Sequence, residues 1–116
     1  MEPTCEIRDD GWQRWSLDGR WHREDGPAWI TDKGVEFWFF EGKNHRDDGP
    51  ARVYPDGGQV WVRHDKVHRE DGPAAIWPDG TIQWFLDDKE LSFEEWLKQV
   101  NLPLEQKTMI MLKWGN

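Results

Sequence analysis

The chain has 116 residues, 23 acidic against 15 basic, for a formal charge of −8; nucleic-acid binding through a basic surface is disfavoured, because phosphate neutralisation needs clustered Lys and Arg. No run approaches the ~18 apolar residues of a membrane span, and Cys5, the only cysteine, allows no intrachain disulfide and suits a reducing compartment. Ten Trp, five Phe and eleven Gly argue for one folded domain in spite of the low mean hydropathy, since each buried Trp takes roughly 150–250 Å² out of water.

The first residues, MEPTCEIRDDG, are acidic and carry no apolar run, so no signal peptide is expected and a soluble cytoplasmic protein is. Residues 5–21 form an incomplete copy of a unit that then occurs three times, at 22–44, 45–67 and 68–90. Each complete unit opens on a heptapeptide: HREDGPA at 22–28, HRDDGPA at 45–51 and HREDGPA at 68–74. Four further registers step with the same period of 23 residues: Trp15, Trp38, Trp61, Trp84; Ile7, Ile30, Val53, Ile76; Gly11, Gly34, Gly57, Gly80; and the bases Arg20, Lys43, Lys66, Lys89. Self-similarity at a fixed period marks a repeat architecture.

Within a unit the heptapeptide leads into a first strand (AWIT, ARVY, AAIW), then a Gly turn (DKG, PDGG, PDG). A second strand rich in β-branched and aromatic residues follows (VEFWFF, QVWVR, TIQWFL), then a second turn (EGK, HDK, DDK). The predicted fold is mainly β with C-terminal α: an elongated, twisted antiparallel β-meander of repeated hairpins, capped by one or two short helices. Strands of about five residues are expected. In TIQWFL, Ile82, Trp84 and Leu86 share one face, which makes the repeated Trp an inward or stacking position. The opposite face carries Phe37, Phe39, Val60, Val62 and Phe85, an apolar strip that is either covered or used for binding. Trp61→Ala is expected to cost ~3–5 kcal/mol, and Trp21→Ala much less, because Asn44, Val67 and Glu90 share its register.

After Glu90 the pattern changes. Ser92 followed by Glu95 is a capping box, and Phe93, Trp96, Leu97 and Val100 fall on one helical face. Pro103 suits the opening turn of a second helix carrying Leu104, Met109, Met111, Leu112 and Trp114, ended by Gly115. Residues 91–116 are read as a cap on the last sheet edge or face, within the same domain as 1–90. The alternative is a Met-bearing helix that binds a partner.

The heptapeptide could be a site or a corner. His22, His45 and His68 lie among six carboxylates, but copies displaced by two strands are roughly 9–10 Å apart at ~4.8 Å per strand. Zinc ligands must lie about 2.0–2.3 Å from one ion, so no metal and no cofactor are predicted. Arg23, Arg46 and Arg69 are each followed by two acids and should be neutralised; a ladder of these Arg against the next copy's acids would hold units in register. In DGP, Asp caps the turn, Gly relaxes φ and Pro starts the strand. The corner reading is preferred to a repeated ligand site. Ser16, Ser92 and Cys5 lack the surroundings of a nucleophile, and no enzyme is predicted.

Hairpins with a Trp strand, a PDG turn and a GK turn resemble the MORN-type repeat family in a variant 23-residue form. The heptapeptide together with WPDGTIQWFLDDK is also similar to small bacteriophage proteins. The resemblance covers residues 5–90 and implies an interaction scaffold. The expected function is that of a small acidic phage-type protein that binds, and by binding inhibits, a host protein with a basic surface in the host bacterium's cytoplasm, through Phe37, Phe39, Val60, Val62 and Phe85. A second reading is a module that sequesters a nucleotide, such as an immune signalling nucleotide, or a sugar, using Trp29, Trp77 and the Arg and His of the repeats. A third is a structural part of a larger assembly. Partner identity and oligomeric state stay open.

Overall fold

Two kinds of turn alternate along the chain, and the residues at each explain it. In the computed structural model, which describes residues 2–115, three-residue hairpin loops recur at the Gly register. Gly57 N–H donates to Tyr54 O (3.0 Å), while Tyr54 N–H reaches across to Gly58 O (2.9 Å). Gly11, Gly34, Gly57 and Gly80 hold φ between +82° and +99°, the left-handed residue that closes a hairpin of this kind with a bulge. Between these lie two-residue loops in which both residues have positive φ, such as Asp18 (52°) and Gly19 (77°), or Asp87 (49°) and Asp88 (69°). These are type I′ turns, whose twist matches that of the flanking strands.

The partial unit gives β1 (Thr4–Ile7), β2 (Gln13–Leu17) and β3 (Arg20–Trp21). The first full unit gives β4 (Trp29–Ile30), β5 (Glu36–Phe37), β6 (Phe39–Phe40) and β7 (Lys43–Asn44). The second repeats this with β8 (Arg52–Val53), β9 (Gln59–Val60), β10 (Val62–Arg63) and β11 (Lys66–Val67). The third has β12 (Ala75–Ile76), an unbroken β13 (Ile82–Leu86) and β14 (Lys89–Leu91), followed by α1 (Phe93–Gln99) and α2 (Leu104–Trp114). Ten strands form one sheet in the order β1-β2-β4-β5-β8-β9-β12-β13-β14, with β3 on β2, and β6–β7 and β10–β11 are separate two-stranded ladders. The antiparallel meander with two C-terminal helices agrees with the predicted fold. Extents of 47 × 30 × 21 Å and a radius of gyration of 16.0 Å exceed the about 13 Å of a compact chain of this size, so the molecule is extended.

The ladders in the first two full units are two residues long, not five, because the second strand breaks at the repeated Trp. Trp38 N–H donates to Ala51 O (2.8 Å) and Trp38 O accepts from His45 N–H (3.0 Å); Trp61 does the same with Ala74 (2.7 Å) and His68 (3.1 Å). The Trp thus bonds the next corner on both sides, and the chain beyond it leaves the main sheet to make its own hairpin.

In the middle unit the face opposite Trp61 is inside, while Trp61 itself is half-buried. Val60 and Val62 are 5% and 1% exposed and pack with Ala51 and Ala75, flanked by Trp38, Tyr54, Val67 and Trp77. A second cluster joins Trp84 to Trp96, Val100 and Ile110 of the helical segment. Ser92 Oγ accepts from Glu95 N–H (3.1 Å) and caps α1 as predicted. Pro103 is the residue just before α2 rather than in its first turn. The helices cover the last hairpin, around Trp84.

Candidate functional site: the row of acidic corners

Each heptapeptide Arg lies on the Trp eight residues before it. The guanidinium carbons of Arg23, Arg46 and Arg69 sit 4.1, 3.7 and 3.9 Å from the ring centroids of Trp15, Trp38 and Trp61, close enough for a cation–π contact. Two hydrogen bonds fix each one. Nε donates to Asp25, Asp48 or Asp71 (3.0, 3.0 and 2.8 Å), and the guanidinium's Nη1 to the carbonyl of Pro27, Pro50 or Pro73 (3.2, 3.2 and 2.9 Å). The acids belong to the same corner, so the expected ladder from Arg to the next copy's acids is not formed. Nor do Gly26, Gly49 and Gly72 serve a left-handed turn, since none has a positive φ. A Cβ on them would lie 2.7–2.8 Å from the Arg Cζ: the glycine is there to leave room for the guanidinium between itself and the Trp.

His22, His45 and His68 tie each corner to the hairpin turn at the end of the same unit. Their Nδ1 atoms accept from the backbone N–H of Glu41, His64 and Asp87 (3.0, 2.9 and 3.0 Å). An accepting Nδ1 leaves the proton on Nε2, which faces Glu24, Asp47 and Glu70 at 3.6, 2.8 and 3.3 Å. The turns add further contacts between units: Asp65 Oδ1 accepts from Asn44 N–H (2.7 Å) and Asp88 Oδ1 from Val67 N–H (2.6 Å).

With the cations committed inward, the acids are what the row presents. The side chains of Glu24, Asp25, Asp47, Asp48, Glu70 and Asp71 are 55–88% exposed. Clefts lie between successive corners: about 270 Å³ between the first and second, walled by Trp38, Phe40 and His45, and about 520 Å³ between the second and third, walled by Trp61, Arg63 and Leu102. In the larger cleft each of Arg46, Arg63 and Arg69 already faces a carboxylate, Arg63 meeting Glu70 at 3.7 Å. A phosphate would meet four acids and no uncommitted guanidinium there. Among the described residues no group of three or more His, Cys, Asp or Glu could hold a metal ion, and no helix is long and apolar enough to cross a membrane.

The residues expected to form an apolar binding strip do not make an open face. Val60 and Val62 are core, covered by Ala51, Ala75, Trp38, Tyr54, Val67 and Trp77. Phe37 and Phe39 are half-buried against Trp29, at 5.8 and 4.7 Å between ring centroids, and Phe85 is half-buried as well. Trp29 and Trp77 are not brought to the Arg and His of the corners. Trp29 also contacts Trp12 and Trp21, and Trp77 packs on Tyr54 and donates from Nε1 to Gln83 (2.8 Å). Trp21 is therefore part of an aromatic cluster. The aromatic partners of the Arg row are instead the repeated Trp themselves. The constant eight-residue offset between the two registers is the sequence signal for that pairing. Comparison with protein-family models, curated proteins and solved structures gave no match.

Proposed function

We propose that the protein is a non-enzymatic interaction module that docks its row of acidic corners on a basic surface of a partner protein. The observation that carries this reading is the division of charge at the corners: the Arg are consumed between Trp, Gly and Asp, while the carboxylates point to solvent in every copy. Electrostatic complementarity of this kind speeds association and selects partners more than it adds affinity. The resemblance to hairpin-repeat scaffolds and to small phage proteins points to a host protein that is blocked by being bound. The geometry favours a nucleotide less, since its phosphates would face the acids of the clefts.

The test is binding with the corner charges removed. The triple variant Glu24→Gln, Asp47→Asn, Glu70→Gln keeps an acceptor for each His Nε2 and takes away three charges. Partner capture from host lysate at low salt and at ~0.5 M salt, where the Debye length falls to a few Å, identifies the ligand. Purified binding then measures the loss. At ~0.2–1 kcal/mol for each exposed contact, the variant should bind about 3- to 150-fold more weakly and with a shallower salt dependence. Unchanged binding by a folded variant would sink the reading.

A further inference from the structure

Of the two ends of the ten-stranded sheet, one is covered and one is open. At the far end α1 packs on β13 and β14. At the near end β1 is exposed at all four positions, Thr4–Ile7, and among the described residues it pairs on one side alone, with β2. Its free side has a definite pattern of donors and acceptors. Trp15, opposite Cys5, gives its N–H to Ala28 O (2.7 Å) and accepts His22 N–H at its carbonyl (3.0 Å), so both groups face away from β1. Cys5 therefore sits in a non-hydrogen-bonded pair and turns its own N–H and C=O outward, and alternation does the same for Ile7. Arg8, in the other phase, donates inward to Trp12 O (3.2 Å). Such an edge is a template for one further strand.

We propose that β1 pairs antiparallel with β1 of a second copy about a two-fold axis at Cys5, giving a homodimer with one continuous sheet. A two-fold pairing must set outward-facing residues opposite each other, which leaves a centre at Cys5, Glu6 or Ile7. A centre at Glu6 puts the two Glu6 carboxylates opposite each other in the closely spaced kind of pair, where like charges repel. A centre at Ile7 runs out after one residue on either side, because Asp9 and Asp10 turn the chain back into β2. The centre at Cys5 spans residues 2–8 and sets Glu2 against Arg8, Pro3 against Ile7 and Thr4 against Glu6, each twice by symmetry. Glu2 and Arg8 carry opposite charges, and Arg8 keeps its own Glu6 through Nε at 3.2 Å on the same face. On the other face Ile7, 71% exposed in the single chain, meets Pro3 and Cys5 of the second copy. Four backbone bonds form: Cys5 N–H to Cys5 O in both directions, and Ile7 N–H to Pro3 O twice. The Ile7 carbonyl, for which Pro3 has no N–H, stays with water. Head-to-tail growth would need a second open edge where α1 stands, so the contact closes on itself as a dimer. The pairing does not rest on the reading of the acidic corners.

A seven-residue edge is smaller than a standard interface, which sets a weak dimer with Kd on the order of 100 µM. Sedimentation velocity under reducing conditions, from about 5 µM to about 1 mM, should show a monomer–dimer equilibrium. Cys5→Pro removes an outward N–H that β2 does not use, at an edge where proline is tolerated, and should give a folded monomer throughout. Disulfide trapping reads the register without a proline. A hydrogen-bonded pair holds its Cα atoms about 5.5 Å apart, within the about 4.4–6.8 Å that a disulfide spans, so mild oxidation should cross-link the wild-type chain through Cys5. In Cys5→Ser with Ile7→Cys the thiol is at an equally open position but about 14 Å from its mate, and cross-linking should be at least about tenfold slower. A wild-type monomer at every concentration would overturn the proposal. So would a dimer that persists in Cys5→Pro, or equal cross-linking from positions 5 and 7.

Discussion

Replacing Gly49 with Ala tests whether the repeated shape of the corner comes from the backbone or from the Arg–Trp stack. An added Cβ would lie 2.8 Å from Arg46 Cζ, so the guanidinium must leave its seat 3.7 Å from the Trp38 ring. The lost terms are a cation–π contact of ~0.5–2 kcal/mol, a hydrogen bond to Pro50 O of about 1 kcal/mol, and an exposed pair with Asp48 of at most about 1 kcal/mol. Against these stands a gain of ~0.4–1 kcal/mol from the stiffer unfolded chain, because the φ of Gly49 is one that Ala can adopt. The balance is a loss of about 2 kcal/mol. Urea unfolding followed by Trp fluorescence and circular dichroism measures it. In an Arg46→Ala background the clash is gone, and Gly49→Ala should be neutral or stabilising. Gly57, with φ +99° and nothing within 4 Å, is the contrast: Ala there should cost ~1–2 kcal/mol in either background. A neutral Gly49→Ala in the wild-type chain would refute the reasoning and return that glycine to an ordinary turn.

Three other outcomes are expected. Trp96→Ala should be the most costly single Trp substitution, ~3–5 kcal/mol, because Trp96 is fully buried and its Nε1 donates to Arg69 O at 3.0 Å; Trp61, half-buried under Arg69, should cost about 2 kcal/mol, less than its register suggested, and chemical unfolding of both variants ranks them. Asp65→Asn should leave stability nearly unchanged, since Asn tolerates positive φ and keeps an acceptor for Asn44 N–H, whereas Asp65→Ala should lose about 2 kcal/mol of turn and cap together; equal midpoints in urea would contradict this. The N–H of Thr81 holds the Asp79 carboxyl below its usual 3.8, and the N–H of Trp12 and then Arg14 do the same for Asp10. A lowered folded value means that this stability is complete above pH 3.8 and is lost as pH falls through the folded values, so Asp10→Asn with Asp79→Asn should reduce the decline in urea midpoint between pH 4.5 and pH 2.5, and an unaltered decline would show that other groups drive it.

What was legible in the sequence is what is local. The Gly register marks the three-residue loops, because only a left-handed residue closes them, and Ser92 with Glu95 announces α1 by spacing alone. That the face of Val60 and Val62 is covered rather than used for binding was not legible. Alternation places the two on one face, as found, but what covers that face comes from elsewhere in the chain: Ala51, Ala75 and the rings of Trp38, Tyr54 and Trp77. Asn44 was hidden for a similar reason. It is buried, donates to Trp38 O (2.7 Å) and accepts from Arg52 Nε (2.7 Å), while the residues in its register are Trp21, Val67 and Glu90, so nothing in the period marks it.

The end of the array shows how far the Arg–Trp stack organises the fold. Trp15, Trp38 and Trp61 each receive an Arg eight residues later; Trp84 at the same offset meets Ser92, the cap of α1. Its ring is covered instead by Trp96, 4.5 Å away, and Phe93, 4.8 Å away. The chain thus ends its repeats at the step where an indole can take the place of a guanidinium. Trp96 also reaches back to the carbonyl of Arg69, the last Arg of the row. A Trp left without a following corner would expose a ring face and the end of the sheet, which invites pairing with other chains. Covering that ring places α1 on the last hairpin, and Ile110 and Trp114 of α2 pack into the same cluster. The corner chemistry and the helical segment are therefore linked: the indole that takes the place of the fourth Arg is the one that seats α1 on the end of the sheet.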